Sequence, residues 1–481
     1  MDEVVARTST PEMSSIKRRI TPWHAPQPEF NTLTPPGPPC LIIAAGAGRR
    51  LRAASPIKPL HPILGVPLIE RTIRTAHEVG IHTFYVVVGH EAETVTHFLE
   101  ILARRLDVTI TPIYNPHWYL YENGYSVLLA RDVLDEPFLL LMSDHLFEAE
   151  ILRRLMTTPL SPAAVALAVD GRLDNPWVDL EDVCRVYHEE GIIKAIGKGL
   201  NHFNGYDTGA FLCSPALFEA LEETFAEGHS TLSHAVQRLA QDGQVTAVDV
   251  SGCFWIDVDT PEMVRRAETA LLAQLGGKST DGPISRYINR PLSTRLTRHL
   301  VRYPVTPNQI TLATFALSLA AAALFTLRSY PALLLGGLLT QVASVVDGCD
   351  GEIARLKYLR STYGGWLDAV LDRYADGFLL FGLTWYAAGQ VSTIAWWVGF
   401  LAILGSFMVS YTADKYDHLM RKRIQTGHGG GIRIGRDIRL FLIFLGAIFN
   451  VPVLVLTLLA VIMNVEAVRR LFVCRDVVES T

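Results

Sequence analysis

Residues 345–372 read VVDGCDGEIARLKYLRSTYGGWLDAVLD and place four aspartates between two long apolar runs. Asp347 and Asp350 are one helical turn apart, and so are Asp368 and Asp372, so each pair lies on one face of a helix. A carboxylate at membrane depth costs roughly 2.5–3.5 kcal/mol on insertion scales, and four without partners are therefore not expected. Two such pairs facing each other make an oxygen-rich site suited to Mg²⁺, Mn²⁺ or Ca²⁺. The pattern predicts a divalent-cation site at the membrane.

An alternative explanation of these aspartates is a set of salt bridges to Arg355, Arg360 and Arg373. Such bridges would balance the charge of the carboxylates. They would not account for the regular spacing, so we favour the cation site.

The apolar runs around this stretch continue almost to the end of the chain. Some are close to the 20 residues that span a bilayer as a helix, and others are shorter. Lys and Arg are concentrated on one side of the segments, whereas the opposite loops hold only Arg328. The positive-inside rule then predicts that both ends of this domain are cytoplasmic. We expect six membrane segments, near residues 310–328, 331–350, 364–388, 391–413, 437–450 and 451–472.

A basic stretch, ISRYINRPLSTRLTRHLVRYPVTPNQ, precedes the first of these segments at residues 284–309. This pattern is expected for a helix that lies on an anionic membrane surface, and a solvated basic helix is the alternative. Five arginines are spaced through its apolar residues: Arg286, Arg290, Arg295, Arg298 and Arg302.

The first half of the chain has a different character. Residues 40–275 alternate buried-strand and amphipathic-helix patterns, which favours a mostly parallel sheet wrapped by helices. The formal net charge of −5 and the absence of nucleic-acid motifs argue against a nucleic-acid partner. The six cysteines are scattered without metal-finger spacing, as in reduced cytoplasmic proteins. The polar, proline-rich start lacks the apolar core of a secretory signal, so we expect this half in the cytoplasm.

A glycine turn follows the first buried strand, in CLIIAAGAGRRL at residues 40–51. Backbone N–H groups at Gly46 and Gly48 would approach phosphate oxygens, and Arg49 and Lys58 would add positive charge. A dinucleotide fingerprint is disfavoured because Leu51 stands where it needs glycine, and no Walker A lysine follows. A tight turn without ligand is the simpler alternative.

Two later stretches place carboxylates after apolar residues. Asp144 follows a buried strand in FLLLMSDHLF, and Asp257 and Asp259 lie in GCFWIDVDTPE. Carboxylates at strand ends lie where open α/β sheets bind ligands, and two of them could hold one Mg²⁺ against a triphosphate. Because Asp259 or Thr260 is a good N-cap for the following helix, we favour Asp257 as the ligand.

Taken in order, AAGAGRRL, PIKPL, MSDH and FWIDVDTPE resemble the sugar-phosphate nucleotidyltransferase family across residues 41–263. The resemblance implies that the glycine loop holds the nucleotide, with Arg49 and Lys58 as catalytic residues that bind its phosphates. It also implies Asp144 and Asp257 as Mg²⁺ ligands. The segment AIGKGL is similar to the one in which a family lysine contacts the sugar phosphate, which nominates Lys198.

The aspartate stretch matches every position of the CDP-alcohol phosphotransferase motif, and the likeness extends over residues 283–475. It implies Asp347, Asp350 and Asp368 as metal ligands and Asp372 as general base or ligand. The residues implied to surround the cytidine nucleotide are Gly351, Ala354, Arg355 and Gly364.

Together the halves resemble the fused inositol-1-phosphate cytidylyltransferases and di-myo-inositol phosphate phosphate synthases. CTP and inositol 1-phosphate would give CDP-inositol, whose phosphoinositol group would pass to a second inositol 1-phosphate with release of CMP. The cofactor would be Mg²⁺, or Mn²⁺, and Arg433, Arg436 and Arg439 could hold the acceptor phosphate. An open alternative is a cytidylyltransferase for another polyol or choline phosphate fused to a phospholipid synthase with a lipid alcohol acceptor. A degenerate nucleotide-binding regulator is disfavoured by the retained Lys58 and Asp144.

The fold class that we predict is an α/β Rossmann-like nucleotidyltransferase domain followed by an all-α six-helix transmembrane domain. The enzyme would be a multi-pass protein of the cell (inner) membrane with both sites cytoplasmic, and a homodimer is a further expectation. The expected divisions are a disordered tail at 1–38, the nucleotidyltransferase domain at 39–275, a linker and interfacial helix at 276–305, and the membrane domain at 306–475.

Overall fold

A computed structural model describes residues 37–51, 56–160, 163–275, 282–425 and 435–478 of the chain. The expected tail therefore lies almost entirely outside the described residues, as does the centre of the linker. The described part consists of a mixed α/β half followed by a helical half.

Thirteen strands are described, and all of them belong to the first half. They are β1 (Cys40–Ala44), β2 (Pro62–Ile63), β3 (Val66–Pro67), β4 (Thr83–Val88), β5 (Thr109–Tyr114), β6 (Phe138–Met142), β7 (His145–Phe147), β8 (Val165–Asp170), β9 (Arg185–Glu189), β10 (Ile192–Gly197), β11 (Gly205–Cys213), β12 (Val245–Asp249) and β13 (Trp255–Asp257).

Seven helices accompany these strands and seven more form the second half of the described chain. They are α1 (Leu68–Glu78), α2 (Ala92–Leu106), α3 (Asn123–Leu128), α4 (Ala149–Thr157), α5 (Ala216–Ala226), α6 (Leu232–Gln241), α7 (Pro261–Gln274), α8 (Arg290–Leu300), α9 (Pro307–Thr326), α10 (Tyr330–Leu356), α11 (Thr362–Ala388), α12 (Ser392–Gln425), α13 (Arg436–Ile448) and α14 (Pro452–Val478).

Nine strands form one sheet in the order β5-β4-β1-β6-β11-β8-β12-β10-β9. The first four are parallel, but β11 runs antiparallel to both β6 and β8, and β9 and β10 are antiparallel to each other. The prediction of a mostly parallel sheet is therefore wrong for the second half. The β9–β10 reversal has a local reason: Glu190 and Gly191 both have positive φ, so these two strands join through a tight hairpin instead of a crossover helix. In the same half of the sheet, β12 does run parallel to β8.

The sheet is buried on both faces, as the apolar run of β1 requires. Cys40 and Ile42 pack into one core cluster with helices α1, α2 and α4. Leu41 and Ile43 pack into a second cluster with α5 and α6, because successive strand side chains point to opposite faces. A separate ribbon pairs β7 with β13 and brings Asp257 opposite His145.

Helices overlap all six predicted membrane segments, but only four of the described helices have the length and composition to cross a bilayer. These are Pro307–Thr326, Tyr330–Leu356, Thr393–Ala413 and Pro452–Phe472. Helix α11 carries several charged residues in its first half, and the 13-residue α13 is only about 20 Å long at 1.5 Å per residue. The count of six membrane crossings thus stays a prediction.

The two halves share one apolar cluster. Val301, which follows α8, and Leu356, at the end of α10, are buried in the same cluster as Leu68, Leu146 and Ile256 of the α/β half. The membrane half is therefore packed directly against the ribbon, whose strand β7 follows the candidate ligand Asp144 and whose strand β13 ends at the candidate ligand Asp257.

Candidate active sites

One cleft of about 480 Å³ opens at the carboxyl ends of β1 and β6. It brings together residues that are distant in the sequence, as strand ends in open α/β sheets do. All seven site residues predicted in the first half line it: Gly46, Gly48, Arg49, Lys58, Asp144, Lys198 and Asp257.

The glycine turn and Lys58 are fitted to each other. Gly48 has φ +56°, and a Cβ at this position would lie 2.4 Å from Lys58 Cβ. Any other residue would therefore meet both a strained backbone and a steric clash. Arg49 is exposed at the rim, whereas Lys58 is 8% exposed.

Acidic side chains surround the amino group of Lys58. Its Nζ lies 2.5 Å from Asp144 Oδ2 and also contacts Asp259. The pKa of Lys58 is raised because these charges and that of Asp257 outweigh the cost of burial. Lys58 therefore stays protonated as a fixed positive charge in the cleft.

Asp144 and Asp257 converge on His145. His145 Nδ1 lies 2.9 Å from Asp144 Oδ1 and 3.7 Å from Asp257 Oδ1. Burial raises the pKa of Asp257 to about 7, and the charges of Asp144 and Asp259 contribute. The pKa of His145 is raised to about 9 because the carboxylates of Asp257, Asp144 and Asp207 outweigh its burial.

The structure decides between the two expected N-cap candidates of α7, Asp259 and Thr260. Thr260 is the N-cap of α7, and its side chain accepts a hydrogen bond from Met263 N. Asp259 instead contacts Lys58 and Arg50 inside the cleft. Asp257 Oδ1 is buried without a hydrogen-bond partner in the described structure, which still makes it a fitting position for a cation.

Sequence reasoning missed the charged chain that extends this site. Arg50 lies 2.7 Å from Asp182, whose other oxygen lies 2.6 Å from Lys198 Nζ. Asp182, Asp257 and Asp259 also have ligand atoms within 4.8 Å of one another. The doubled arginine in GAGRRL is a signal for Arg50, but nothing in the sequence marks Asp182.

In the membrane half, three of the four predicted aspartates come together between α10 and α11. Asp347, Asp368 and Asp372 place ligand atoms within 4.8 Å of one another. Asp350 points to a different partner, since its Oδ2 accepts a hydrogen bond of 2.9 Å from Thr311 of α9. A cation bound here could therefore be coordinated by three carboxylates as they stand, whereas Asp350 lies outside this group.

Arg436 forms ion pairs with two of the same carboxylates and with a further aspartate. Its Nη1 is 3.1 Å from Asp347 and 2.6 Å from Asp372, and its Nε is 3.0 Å from Asp376. Asp376 is a site residue that sequence reasoning missed, although it follows Asp372 by one helical turn. The structure thus joins one predicted acceptor-phosphate residue directly to the aspartate site.

The other two predicted acceptor-phosphate arginines are placed differently. Arg439 is buried behind Arg436, where its Nη1 lies 3.0 Å from Asp376 and contacts Ser406. Its side chain is therefore buried between the helices, in contrast to the prediction that it faces a substrate. Arg433 lies outside the described residues.

The small residues of the motif leave little space beyond a hydrogen atom. A Cβ on Gly351 would lie 3.2 Å from Arg355 Nη1, and one on Gly364 would lie 2.9 Å from Ser361 Oγ. Ala354 is half-buried on the same helix as Gly351. A larger side chain at Gly351 or Gly364 would therefore displace Arg355 or Ser361.

Both acidic groups have the chemistry of a magnesium site. Their donors are carboxylate oxygens, with His145 beside those of the cleft, and hard cations prefer oxygen ligands. The residues present fit a divalent cation at each site, and they do not identify the ion.

Comparison with known proteins identifies both halves. The model of the MobA-like NTP transferase domain matches residues 40–291, and that of CDP-alcohol phosphatidyltransferase matches residues 304–471. The chain is 38% identical over 448 residues to a bifunctional IPC transferase and DIPP synthase of Rubrobacter xylanophilus, covering 92% of this chain and 98% of the relative. The chain belongs to the bifunctional IPC transferase and DIPP synthase family.

A second bifunctional relative agrees with this membership. The bifunctional IPC transferase and DIPP synthase of Aquifex aeolicus is 34% identical over 90% of this chain and 97% of its own. The solved inositol-1-phosphate CTP transferase from T. maritima is 26% identical, with a TM-score of 0.43, over 48% of this chain and 92% of that chain. The two matched family models and the two bifunctional relatives show that the protein is an enzyme with a nucleotidyltransferase and a CDP-alcohol phosphotransferase domain.

Proposed function

We propose that the cleft converts CTP and inositol 1-phosphate into CDP-inositol and pyrophosphate. The proposal is supported by the presence of both domains in one chain. This chain is 38% identical to a bifunctional IPC transferase and DIPP synthase, and the match covers 98% of that relative. In this step a phosphate oxygen of inositol 1-phosphate attacks the α-phosphorus of CTP, and the bond to pyrophosphate breaks.

Catalysis in the cleft depends mainly on its positive charges and on how it positions the two substrates. Lys58 and Arg49 bind the triphosphate, and backbone N–H groups of the Gly46–Gly48 turn approach its oxygens. A Mg²⁺ ion held by Asp144 and Asp257 would neutralise the phosphates when bound. Lys198, joined to the cleft through Asp182, would contact the phosphate of the incoming inositol 1-phosphate.

We propose that the aspartate site then transfers the phosphoinositol group of CDP-inositol to a second inositol 1-phosphate. An inositol hydroxyl of the acceptor attacks the β-phosphorus, the bond to CMP breaks, and Asp372 accepts the hydroxyl proton. The product is di-myo-inositol phosphate phosphate. Asp347, Asp350 and Asp368 would hold Mg²⁺ or Mn²⁺, and Arg436 would meet the phosphate of the acceptor.

The arrangement in the membrane follows from the same proposal. Both sites face the cytoplasm of a cell-membrane protein with six crossings, in accord with the basic loops predicted on that side. The nucleotidyltransferase domain would occupy residues 39–275 and the membrane domain residues 306–475. A homodimer belongs to the proposal as well.

The test is to supply purified protein in detergent with CTP, Mg²⁺ and inositol 1-phosphate and to identify the products by mass. Pyrophosphate, CMP, CDP-inositol and di-myo-inositol phosphate phosphate are expected. Pyrophosphate release with neither CDP-inositol nor di-myo-inositol phosphate phosphate among the products would overturn the substrate assignment. A chloroform-soluble labelled product would instead favour a lipid alcohol as acceptor.

A further inference from the structure

A buried glutamate lies inside the aspartate motif and has no part in the proposed chemistry. Glu352 follows Asp350 on α10, precedes Arg355, and is 0% exposed. A buried carboxylate is costly unless hydrogen bonds and charges compensate it fully. Its surroundings therefore show why a glutamate stands at this position.

All three hydrogen-bond partners described for Glu352 come from helix α8. Oε1 accepts from Arg290 Nη1 at 3.0 Å and from Ser293 Oγ at 2.6 Å, and Oε2 accepts from Thr297 Oγ1 at 2.7 Å. Positions 290, 293 and 297 lie on one face of a helix. One face of α8 is thus hydrogen-bonded to the segment of α10 that bears Asp347 and Asp350.

Further contacts hold the same two helices together. Asn289, just before α8, donates to Ser344 Oγ at 3.0 Å and accepts from Gln341 Nε2 at 2.8 Å. A Cβ on Gly348 would lie 3.1 Å from Ser293 Oγ, so the helices approach closely beside Asp347. The contact between α8 and α10 thus combines these polar groups with an apolar part, in which Leu296 and Leu300 pack against Cys349 and Ile353.

The opposite end of this contact reaches the first half of the protein. Val301, directly after α8, is buried in the apolar cluster that also contains Leu356 and Leu146. Helix α8 is therefore held between the nucleotidyltransferase domain and α10, and its position is fixed at both ends.

We propose that Glu352 is a positioning residue for the membrane site: by binding one face of α8, it sets the position of the α10 segment that carries Asp347, Asp350 and Arg355. This inference rests on the proposed function of that site. Glu352 does not touch the reacting atoms, because both of its oxygens are engaged with α8. Its effect on transfer is exerted through the placement of the aspartates.

The test substitutes Glu352→Gln, which keeps the shape of the side chain and removes its charge. We expect transfer from supplied CDP-inositol to inositol 1-phosphate to fall at least about tenfold, the scale for residues that orient metal ligands. The Mg²⁺ concentration for half-maximal donor binding should rise, because the aspartates are less well placed. Pyrophosphate release from CTP in the same protein should keep its wild-type rate.

The matched control is Glu466→Gln. Glu466 is also a buried glutamate of the membrane half, but its ion pairs are with Arg469 and Arg470 of its own helix α14. It lies outside the motif, so its substitution should leave the Mg²⁺ dependence unchanged. The double variant Ser293→Ala with Thr297→Val removes two donors from the α8 side and should reproduce the effect of Glu352→Gln.

When Glu352→Gln is combined with that double variant, the loss of transfer should be smaller than the two separate losses taken together, because both changes remove the same contacts. Should Glu352→Gln fail to accumulate, the α8 variant carries the same prediction. Wild-type transfer and Mg²⁺ dependence in these variants would overturn the inference, and so would an equal loss of pyrophosphate release. Absence of transfer in the wild-type protein would instead refute the proposed function.

Discussion

Asp257 and Asp259 differ in what already occupies their oxygens. Asp259 contacts Lys58 and Arg50, whereas Asp257 has a buried oxygen without a hydrogen-bond partner in the described structure. A carboxylate oxygen without a hydrogen-bond partner is a better position for a cation than oxygens engaged by two positive side chains. At the scale of single residues, this contrast ranks Asp257 first among the candidates.

We predict that Asp257→Asn lowers pyrophosphate release by more than the 10–100-fold that outer partners of a metal typically cost. Asp259→Asn should lower it less, because Lys58 keeps Asp144 as a partner. Pyrophosphate release measured against Mg²⁺ concentration checks both variants. The ranking fails if Asp259→Asn is the more damaging, and transfer from supplied CDP-inositol serves as the internal control.

The role of Asp372 needs a separate prediction, because it lies within 4.8 Å of the ligand atoms of Asp347 and Asp368. If Asp372 is the general base, Asp372→Asn should lose about 10²–10⁴-fold in turnover while CDP-inositol still binds with Mg²⁺. Asp368→Asn should weaken donor binding as well. Titration of the donor at several Mg²⁺ concentrations separates the two, and lost binding in Asp372→Asn would make it chiefly a ligand.

Residue chemistry was predictable from the sequence where spacing along one element sets geometry. Asp368 and Asp372 are an example, since one turn of helix puts both on the face that meets Asp347, whereas Asp350 accepts a hydrogen bond from Thr311 of α9. Asp182 was not predictable, because its approach to Lys198 and Arg50 depends on the path of a loop between strands. The burial of Arg439 also depends on packing that the helix sequence does not encode.

At the scale of elements, the start of α7 supports the cleft. Its N-cap Thr260 directly follows Asp257 and Asp259, and its side chain accepts a hydrogen bond from the first turn of the helix. The cap therefore sets where the chain leaves the ribbon that carries Asp257.

We predict that Thr260→Ala lowers the free energy of unfolding of the nucleotidyltransferase domain by about 1 kcal/mol. This corresponds to roughly 2–4 °C in Tm for a domain of that size. Thr269→Ala is the matched control in the same helix, because Thr269 is exposed and bonds only the carbonyl of Arg265 among the described contacts. Thermal unfolding checks the pair, and equal shifts would contradict the capping role.

Most elements were predictable from period and composition, but sheet direction was not. The hairpin at Glu190 and Gly191 reverses the chain where a crossover helix would have kept the strands parallel. The stretch at 284–309 does form helix α8, yet its buried face is the polar one: Asn289, Ser293 and Thr297. Its arginine pattern predicts a membrane surface. The polar face instead contacts helix α10, which is distant only in the sequence.

For the whole molecule, the contact between halves is built from both apolar and polar groups. Arg71 of α1 is buried and donates to Leu356 O at 3.2 Å and to Ile63 O at 2.7 Å. Tyr358 lies next to the guanidinium of Arg74, 4.7 Å from its carbon to the ring centre. The nucleotidyltransferase domain is thus fastened to the end of α10. No sequence pattern predicts this contact, because each half has its own core.

We predict that Leu356→Ala weakens this contact by roughly 2–5 kcal/mol, the range for truncating a buried leucine. The nucleotidyltransferase domain should then unfold at a lower temperature in detergent-solubilised protein, with pyrophosphate release at lower temperature unaffected. Leu359→Ala provides the control, because Leu359 is 45% exposed only three positions away. Identical unfolding of both variants would show that the shared cluster does not stabilise the domain.

The shared cluster also has a consequence for biosynthesis. The first domain is complete at about residue 275, and Leu356 follows roughly 80 residues later, an interval of about 4–16 s at roughly 5–20 residues per second. During that interval the newly folded first domain exposes an apolar surface that is buried in the finished protein. Insertion of α10 into the bilayer would cover it, so that delayed insertion leaves the nascent chain open to chaperones and to aggregation.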